Sequence, residues 1–325
     1  MNLLILGGTR FVGRYLAAAA LARGHAVTLF NRGLTHPDLF PEAEHLRGDR
    51  KSDLSALQGR RWDAAIDVNG YVPRVVRASA AMLAGAVERY VFISTISVYA
   101  SFQGTVNTEE SPVKQPPPGQ ESCEEITDES YGWLKVFCER AAEAALPGRV
   151  LHVRPCVVAG PHDPSERFPW WVARVARGGE VLAPGRPGRP LQLIDARDLG
   201  SWVIDMTERR ETGVYNVTGP ERPLTMGEML ATCRDVTRSD AAFTWVDDRF
   251  LEEHDIEPPL WLPESLKGFN TVDSGKARAR GLAFRPLAET VRDTLEWVEE
   301  DPGERTPRFI EPEREAELLQ LWRAR

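Results

Sequence analysis

The chain has 325 residues, 42% hydrophobic and 27% charged, the composition of a globular protein with one large or two modest domains. Its formal net charge of −8 repels phosphate backbones at long range, so general nucleic-acid binding is not expected. Cys123, Cys138, Cys156 and Cys233 lie far apart without Cys-x-x-Cys spacing, which indicates neither a disulfide framework nor a zinc site. No basic leader precedes the first apolar run and no 18-residue apolar run is free of charge. A cytoplasmic protein without a metal or a membrane span is expected.

The first run, Leu3-Leu4-Ile5-Leu6, breaks into Gly7-Gly8-Thr9-Arg10-Phe11-Val12-Gly13, and helical spacing follows from Phe11 to Ala20. Strand, glycine turn and helix make a dinucleotide site in outline, because glycines let the backbone approach a phosphate at a helix N-terminus. Gly7 to Gly13 are therefore candidate cofactor contacts. The usual glycine spacing is broken by Arg10. The second strand, Ala26 to Phe30, ends in Asn31-Arg32-Gly33, where a carboxylate would hold the ribose hydroxyls of NAD. None is present, and Arg10 and Arg32 suit a 2′-phosphate, so NADP is expected over NAD. Asn31 joins the cofactor candidates. Asp49, after the short run Glu44 to Arg47, is placed to accept an adenine amino group or to cap a helix.

Alternation continues with Ala64 to Val68, a helix from Val72 to Ala86, and Tyr90 to Ser94. This predicts an α/β fold: a Rossmann-type doubly wound parallel sheet with a smaller C-terminal α/β substrate domain. Ligands of such sheets lie beyond the carboxyl ends of the strands, so Asn69 is a cofactor candidate, and Thr95 and Ser97 face the same site. Residues 101–130, rich in proline and acidic groups including Glu121, read as a flap.

Tyr131-Gly132-Trp133-Leu134-Lys135 then begins a helix to about Leu146, with Tyr131 and Lys135 one turn apart on one face. Given the numbers of tyrosines and lysines, such a pair arises roughly 0.09 times by chance. An ammonium within about 4 to 6 Å favours a phenolate, so Tyr131 is a candidate general base, or an acid in the reverse direction. Thr95 would hold the same substrate oxygen, and Lys135 would also hold ribose hydroxyls.

A strand from Arg149 to Pro155 follows, and residues 1–165 are expected to form the nucleotide-binding domain, with 191–218 rejoining it. Residues 166–325 are expected to be mainly the substrate region, with helices near Trp170, over Asp195 to Glu208, after Thr225, whose spacing to Glu228 suits a capping box, and after Pro286 and Pro312. His162, Trp170, Trp171, Arg186, Arg189 and Gln192 are candidate substrate contacts.

The chain resembles a short-chain dehydrogenase/reductase of the extended, epimerase/dehydratase-like type over nearly its whole length. The glycine turn, Asn31-Arg32-Gly33, Gly48-Asp49-Arg50, Phe92 to Tyr99, Tyr131-x-x-x-Lys135, Arg154-Pro155, Asp195-x-x-Asp198-Leu199 and Tyr215 to Gly219 carry the resemblance. It implies a Thr95–Tyr131–Lys135 triad, a cofactor contact at Pro155, a C-terminal substrate domain and homodimers built on a four-helix bundle. The G-G-x-x-x-x-G spacing resembles an atypical subgroup that includes reductases, sugar enzymes and chloroplast RNA-binding proteins. Thr95-Ile96-Ser97 lacks the Thr-Asp-Glu of sugar-nucleotide 4,6-dehydratases, which disfavours dehydration by that route. The expectation is an NAD(P)-dependent oxidoreductase or epimerase acting on a secondary alcohol or ketone of a sugar, nucleotide sugar or similar polar metabolite. The alternative is a non-catalytic protein that binds NADP or RNA.

Overall fold

The computed structural model describes residues 1–103, 106–120, 122–300 and 309–325. Glu121, part of the expected flap, lies outside them. The chain divides into two compact units, one of Met1–Val157, Ala196–Thr218 and Val272–Ala283, the other of Val158–Asp195, Gly219–Thr271 and Phe284–Arg325.

The first unit is built on β1 (Asn2–Leu6), α1 (Phe11–Ala22), β2 (Ala26–Asn31), β3 (Glu44–Arg47), β4 (Trp62–Asp67), α2 (Pro73–Leu83), β5 (Val87–Ile93), α3 (Asp128–Ala145) and β6 (Val150–Pro155). A further strand, Gly213–Val217, returns after the helix Ala196–Glu208. The order across the sheet is Gly213–Val217, β6, β5, β4, β1, β2, β3, and every pairing is parallel. The fold is therefore a doubly wound, Rossmann-type α/β sheet, and its order reverses between β1 and β4. Helices on both faces bury both sides of the central strands, which is why they read as unbroken apolar runs. Leu3, Leu4 and Ile5 have no exposed surface, and Leu4, Leu6, Phe30, Ala65, Tyr90, Phe92 and Val150 join one core cluster.

The helix carrying the tyrosine–lysine pair begins at Asp128, three residues before the expected start. Thr127 Oγ1 accepts from Ser130 N (3.2 Å), and Ser130 Oγ accepts from Thr127 N (2.8 Å). Serine in the third helical position, where glutamate or glutamine is usual, hid this box from the sequence. The 310 turn Ile96–Val98 separates β5 from the long connection to α3.

In the second unit the run Glu180–Pro184, not anticipated as a strand, pairs in parallel with Ala242–Val246. It is five residues long between Gly178-Gly179 and Gly185, and the flanking glycines and prolines made it look like part of a turn. The segment expected as one strand, Leu191 to Ile194, is divided between Pro190–Leu191 and Leu193–Asp195. Thr225 and Glu228 do form a capping box, at the head of the helix Met226–Thr237. The helices Arg167–Ala176, Met226–Thr237 and Leu287–Glu300 pack on one another. The last helix, Pro312–Arg323, supplies Leu318 and Leu319 to a core with Leu182, Val246 and Phe250.

Candidate functional site

The carboxyl edge of the first unit's sheet begins with the glycine turn. Gly7 and Gly8 adopt φ of 122° and 96°, a region closed to most side chains. A Cβ on Gly13 would lie 2.8 Å from Gly8 N, so the first turn of α1 passes directly against the glycines. Arg10 is different. Its backbone is extended (φ −130°, ψ 134°), a conformation any residue adopts, which explains why arginine stands where the commoner motif has glycine. The Arg10 side chain is exposed and makes no cap hydrogen bond, and the first turn of α1 has no acidic residue. The positive end of this helix is thus left for an anion. Thr9 is buried, and Phe11 and Val12 are half-buried.

Asn31, at the end of β2, braces this turn. Its Nδ2 donates to Gly7 O (3.1 Å), and its Oδ1 accepts from Gly33 N (2.8 Å) and Arg47 Nη1 (2.7 Å). Both oxygen lone-pair positions are engaged within the protein, so Asn31 acts on the shape of the turn. Arg32 is exposed. Asp49 Oδ1 accepts from Lys51 N (3.0 Å), an Asx turn rather than a helix cap. The exposed Arg47, at the end of β3, is a basic residue of this edge that sequence reasoning passed over.

At the ends of β4 and β5 lies the densest polar chemistry. Asp67 is fully buried, and its carboxylate accepts from Arg50 Nη1 and Nη2, Tyr90 OH (2.7 Å) and Asn69 N (3.1 Å). Arg50 Nη2 also reaches Ser79 Oγ (3.0 Å). Burial works to raise the Asp67 carboxyl, but the Arg50 guanidinium and the donated hydrogen bonds hold it below the ordinary carboxylate value. Gly70 is obligatory here, since a Cβ would meet the Phe92 ring at 2.4 Å.

Lys135 is 2% exposed and donates from Nζ to Gly70 O (2.9 Å) and Ile93 O (2.6 Å). Its ammonium lies 4.4 Å from the Phe92 ring centre and 5.2 Å from that of Tyr71. The Tyr71 ring is in turn 6.3 Å from that of Tyr131, which is half-buried. Burial pulls the Lys135 ammonium down to about 8, against the attraction of Asp67 and Glu139. Thr95 is almost buried, and its Oγ1 accepts from Ser97 N (3.1 Å) and bonds Ser97 Oγ (3.2 Å), an oriented pair of hydroxyls. A Cβ on Gly132 would stand 2.3 Å from Ser97 O, so glycine lets α3 close on this turn. Pro155 ends β6, buried beside Val217.

The sequence therefore foresaw Thr95, Tyr131, Lys135 and the glycine turn, which share one edge of this sheet. It missed Arg50, Asp67, Tyr71 and Tyr90. The available signal was Asp67 itself, a carboxylate at the end of the apolar run Ala64-Ala65-Ile66.

The expected substrate contacts beyond Ser97 lie in the second unit. Arg189 pairs with Asp248 and donates to Leu262 O (2.5 Å), bonds that bind its own unit together. Trp170 packs edge-on against Trp171 and Phe309, in contact with the core of that unit. Buried Trp171 donates to Pro259 O. These three are framework residues, because long-range partners that sequence spacing does not display have taken them up. His162 has a left-handed φ of 64° and meets the Trp297 ring edge-on at 5.2 Å. Arg186 is exposed, and Gln192 N donates to Asn270 Oδ1 (3.1 Å). Among the described residues there is no metal-ligand cluster, and no helix is long and apolar enough to cross a membrane.

The chain is 25% identical over 253 residues to the chloroplast stem-loop binding protein of 41 kDa b of Arabidopsis thaliana, a match over 71% of this chain and 62% of that protein's length. In structure it resembles UDP-glucose 4-epimerase from Bifidobacterium longum in complex with NAD+ and UDP (TM-score 0.68, 18% identity, 93% of this chain and 99% of that one). It also resembles UDP-glucuronic acid 4-epimerase from Bacillus cereus in complex with NAD (TM-score 0.69, 15% identity, 92% and 99%). Residues 70–218, which contain Thr95, Tyr131 and Lys135, match the NAD dependent epimerase/dehydratase family. Over that segment the chain belongs to the NAD dependent epimerase/dehydratase family.

Proposed function

We propose that the protein is an NAD(P)-dependent oxidoreductase or epimerase acting on a secondary alcohol or ketone of a sugar, nucleotide sugar or similar polar metabolite. The observation that carries the reading is the shared sheet edge: Thr95 and Lys135 at the end of β5, Tyr131 one helical turn before Lys135, and the glycine turn at the end of β1. The residues present fit a dinucleotide. Gly7, Gly8 and Gly13 leave room for a pyrophosphate at the uncompensated N-terminus of α1, and Arg10 and Arg32 are exposed cations beside it.

When bound, a nicotinamide supplies hydride exchange with the substrate carbon. Tyr131 takes the proton of the substrate hydroxyl in oxidation and returns it to the carbonyl in reduction. The Lys135 ammonium favours the phenolate of Tyr131, and the Thr95–Ser97 hydroxyl pair orients the substrate oxygen. The two relatives in complex with NAD are epimerases of nucleotide sugars, which supports the substrate class.

Tyr131→Phe is expected to lower turnover by at least about 10²-fold while leaving cofactor binding intact; full activity in that variant refutes the mechanism. NADPH is expected to bind more tightly than NADH, through Arg32 and Arg10, with Arg32→Ala removing the preference. Equal affinities of the parent protein in calorimetry refute that choice. The name of the Arabidopsis relative raises a second reading, a binding protein on the same fold. Titration with a stem-loop RNA at low salt decides it, saturable binding with no loss of turnover in Tyr131→Phe being the outcome that favours it. The family resemblance also leads us to expect a homodimer, which sedimentation tests.

A further inference from the structure

The groups buried beneath the sheet edge do not balance in charge. Asp67 and Glu139 are the carboxylates, and Arg50, Lys135 and Arg154 the cations, each with a side chain no more than 10% exposed. Arg154 is matched by Glu139, to which it donates from Nε (2.9 Å) and Nη2 (2.7 Å). Asp67 holds Arg50 on both oxygens. Lys135 is the third cation, and its hydrogen bonds go to the carbonyls of Gly70 and Ile93.

We infer that Arg50 and Asp67 form a positioning and charge-setting pair for Lys135, a role that rests on the proposed use of Lys135 beside Tyr131. The positioning follows from the backbone. Asp67 ties Arg50, Tyr90 and Asn69 N to the last residue of β4, and three residues on Gly70 O receives the ammonium. A shift of that corner moves the acceptor of Lys135. The charge setting follows from opposition. Asp67 attracts a proton to Lys135, and Arg50, bound to the same carboxylate, repels it. The remaining groups facing the ammonium are Glu139, which favours the charge, Cys138, whose thiol burial pushes up to about 12 and so keeps neutral, and the ring of Tyr71. The balance of Asp67 against Arg50 therefore decides whether Lys135 carries its proton at neutral pH.

The chain has five lysines, so Lys135 can be followed by NMR in protein carrying 13Cε-labelled lysine, its signal assigned by its loss in Lys135→Met. No substrate or cofactor is needed. Asp67→Asn removes the attracting charge and is expected to lower the titration midpoint of Lys135 by roughly one pH unit or more, whereas Arg50→Met removes the repelling charge and is expected to raise it. A merely structural pair gives another result. Either substitution then admits water, and both midpoints rise towards the ordinary value of about 10.4. Movement in the same direction, or none, overturns the inference. If Asp67→Asn does not fold, Arg50→Met against the native chain carries the test, and an unchanged or lowered midpoint overturns it. In the intact enzyme the pH profile of kcat is expected to shift with the midpoint in each variant. Failure of the oxidoreductase reading is separate, because it appears as full turnover in Tyr131→Phe and leaves the Lys135 titration as measured.

Discussion

Two buried arginine–carboxylate pairs, one in each unit, look alike and do different things. In the second unit Arg174 donates from Nε to Glu315 (2.6 Å), from Nη1 to Gly178 O (3.0 Å) and from Nη2 to Glu180 O (2.5 Å), while the other oxygen of Glu315 accepts from Leu182 N (3.0 Å). The charges are equal and each group is met. The pair fastens the helix Pro312–Arg323 to the strand Glu180–Pro184. In the first unit Arg50 and Asp67 are just as well bonded, yet a further cation, Lys135, lies in the same buried region. Surplus buried charge is expensive in a fold, so a balanced pair belongs to the framework and an unbalanced one marks a place where protonation is used.

The largest way to break this comparison is Glu315→Ala. It leaves the Arg174 guanidinium buried without its counter-charge, and a loss of about 3 to 5 kcal/mol in unfolding free energy is expected by urea denaturation. Molecules that remain folded should keep the parent kcat. A loss of kcat in the folded fraction would show that the second pair is more than framework.

Gly132→Ala tests the edge of the first unit. In an ordinary helix interior this change stabilises by roughly 0.5 to 1 kcal/mol. Here the new methyl would stand 2.3 Å from Ser97 O, and overpacking of that kind costs about 1 to 3 kcal/mol. The steric term wins, so a lower melting temperature and a fall in kcat are expected together, because Tyr131 moves with α3 relative to Thr95 and Ser97. A stabilised, fully active variant would mean that α3 does not need this approach.

What was legible in the sequence was local. An apolar run ending in Gly7-Gly8 reports a strand and a turn because both depend on neighbours a few residues away, and Tyr131 and Lys135 are legible because one helical turn sets their spacing. Strand alternation gave the doubly wound sheet for the same reason. The meaning of Arg10 was not legible, since only its extended backbone shows that the position never required glycine. Asp67 and Arg50 are 17 residues apart and meet only when β4 is placed in the sheet. Arg189 and Trp170 looked available for a substrate because their partners, Asp248, Leu262 and Phe309, come from distant segments. Residue type suggested chemistry there, and tertiary contacts had already used it.

The finest test uses the two capping boxes, one in each unit. Thr127 caps α3 and Thr225 caps the helix Met226–Thr237, each accepting at 3.2 Å from the backbone N–H of the third helical residue. Thr127→Ala and Thr225→Ala each remove one such bond, and each should lower stability by about 1 kcal/mol, a figure that denaturant titration reads directly. If the caps served the fold alone, the two variants would be indistinguishable in turnover as well. Ser130, the partner of Thr127, immediately precedes Tyr131, and its Oγ also donates to Glu125 O (2.6 Å), so fraying at this end moves the proposed general base. Thr127→Ala is therefore expected to lower kcat several-fold and Thr225→Ala to leave it unchanged at equal loss of stability. Equal kcat values would separate the start of α3 from the chemistry and return Thr127 to the framework that Thr225 already belongs to.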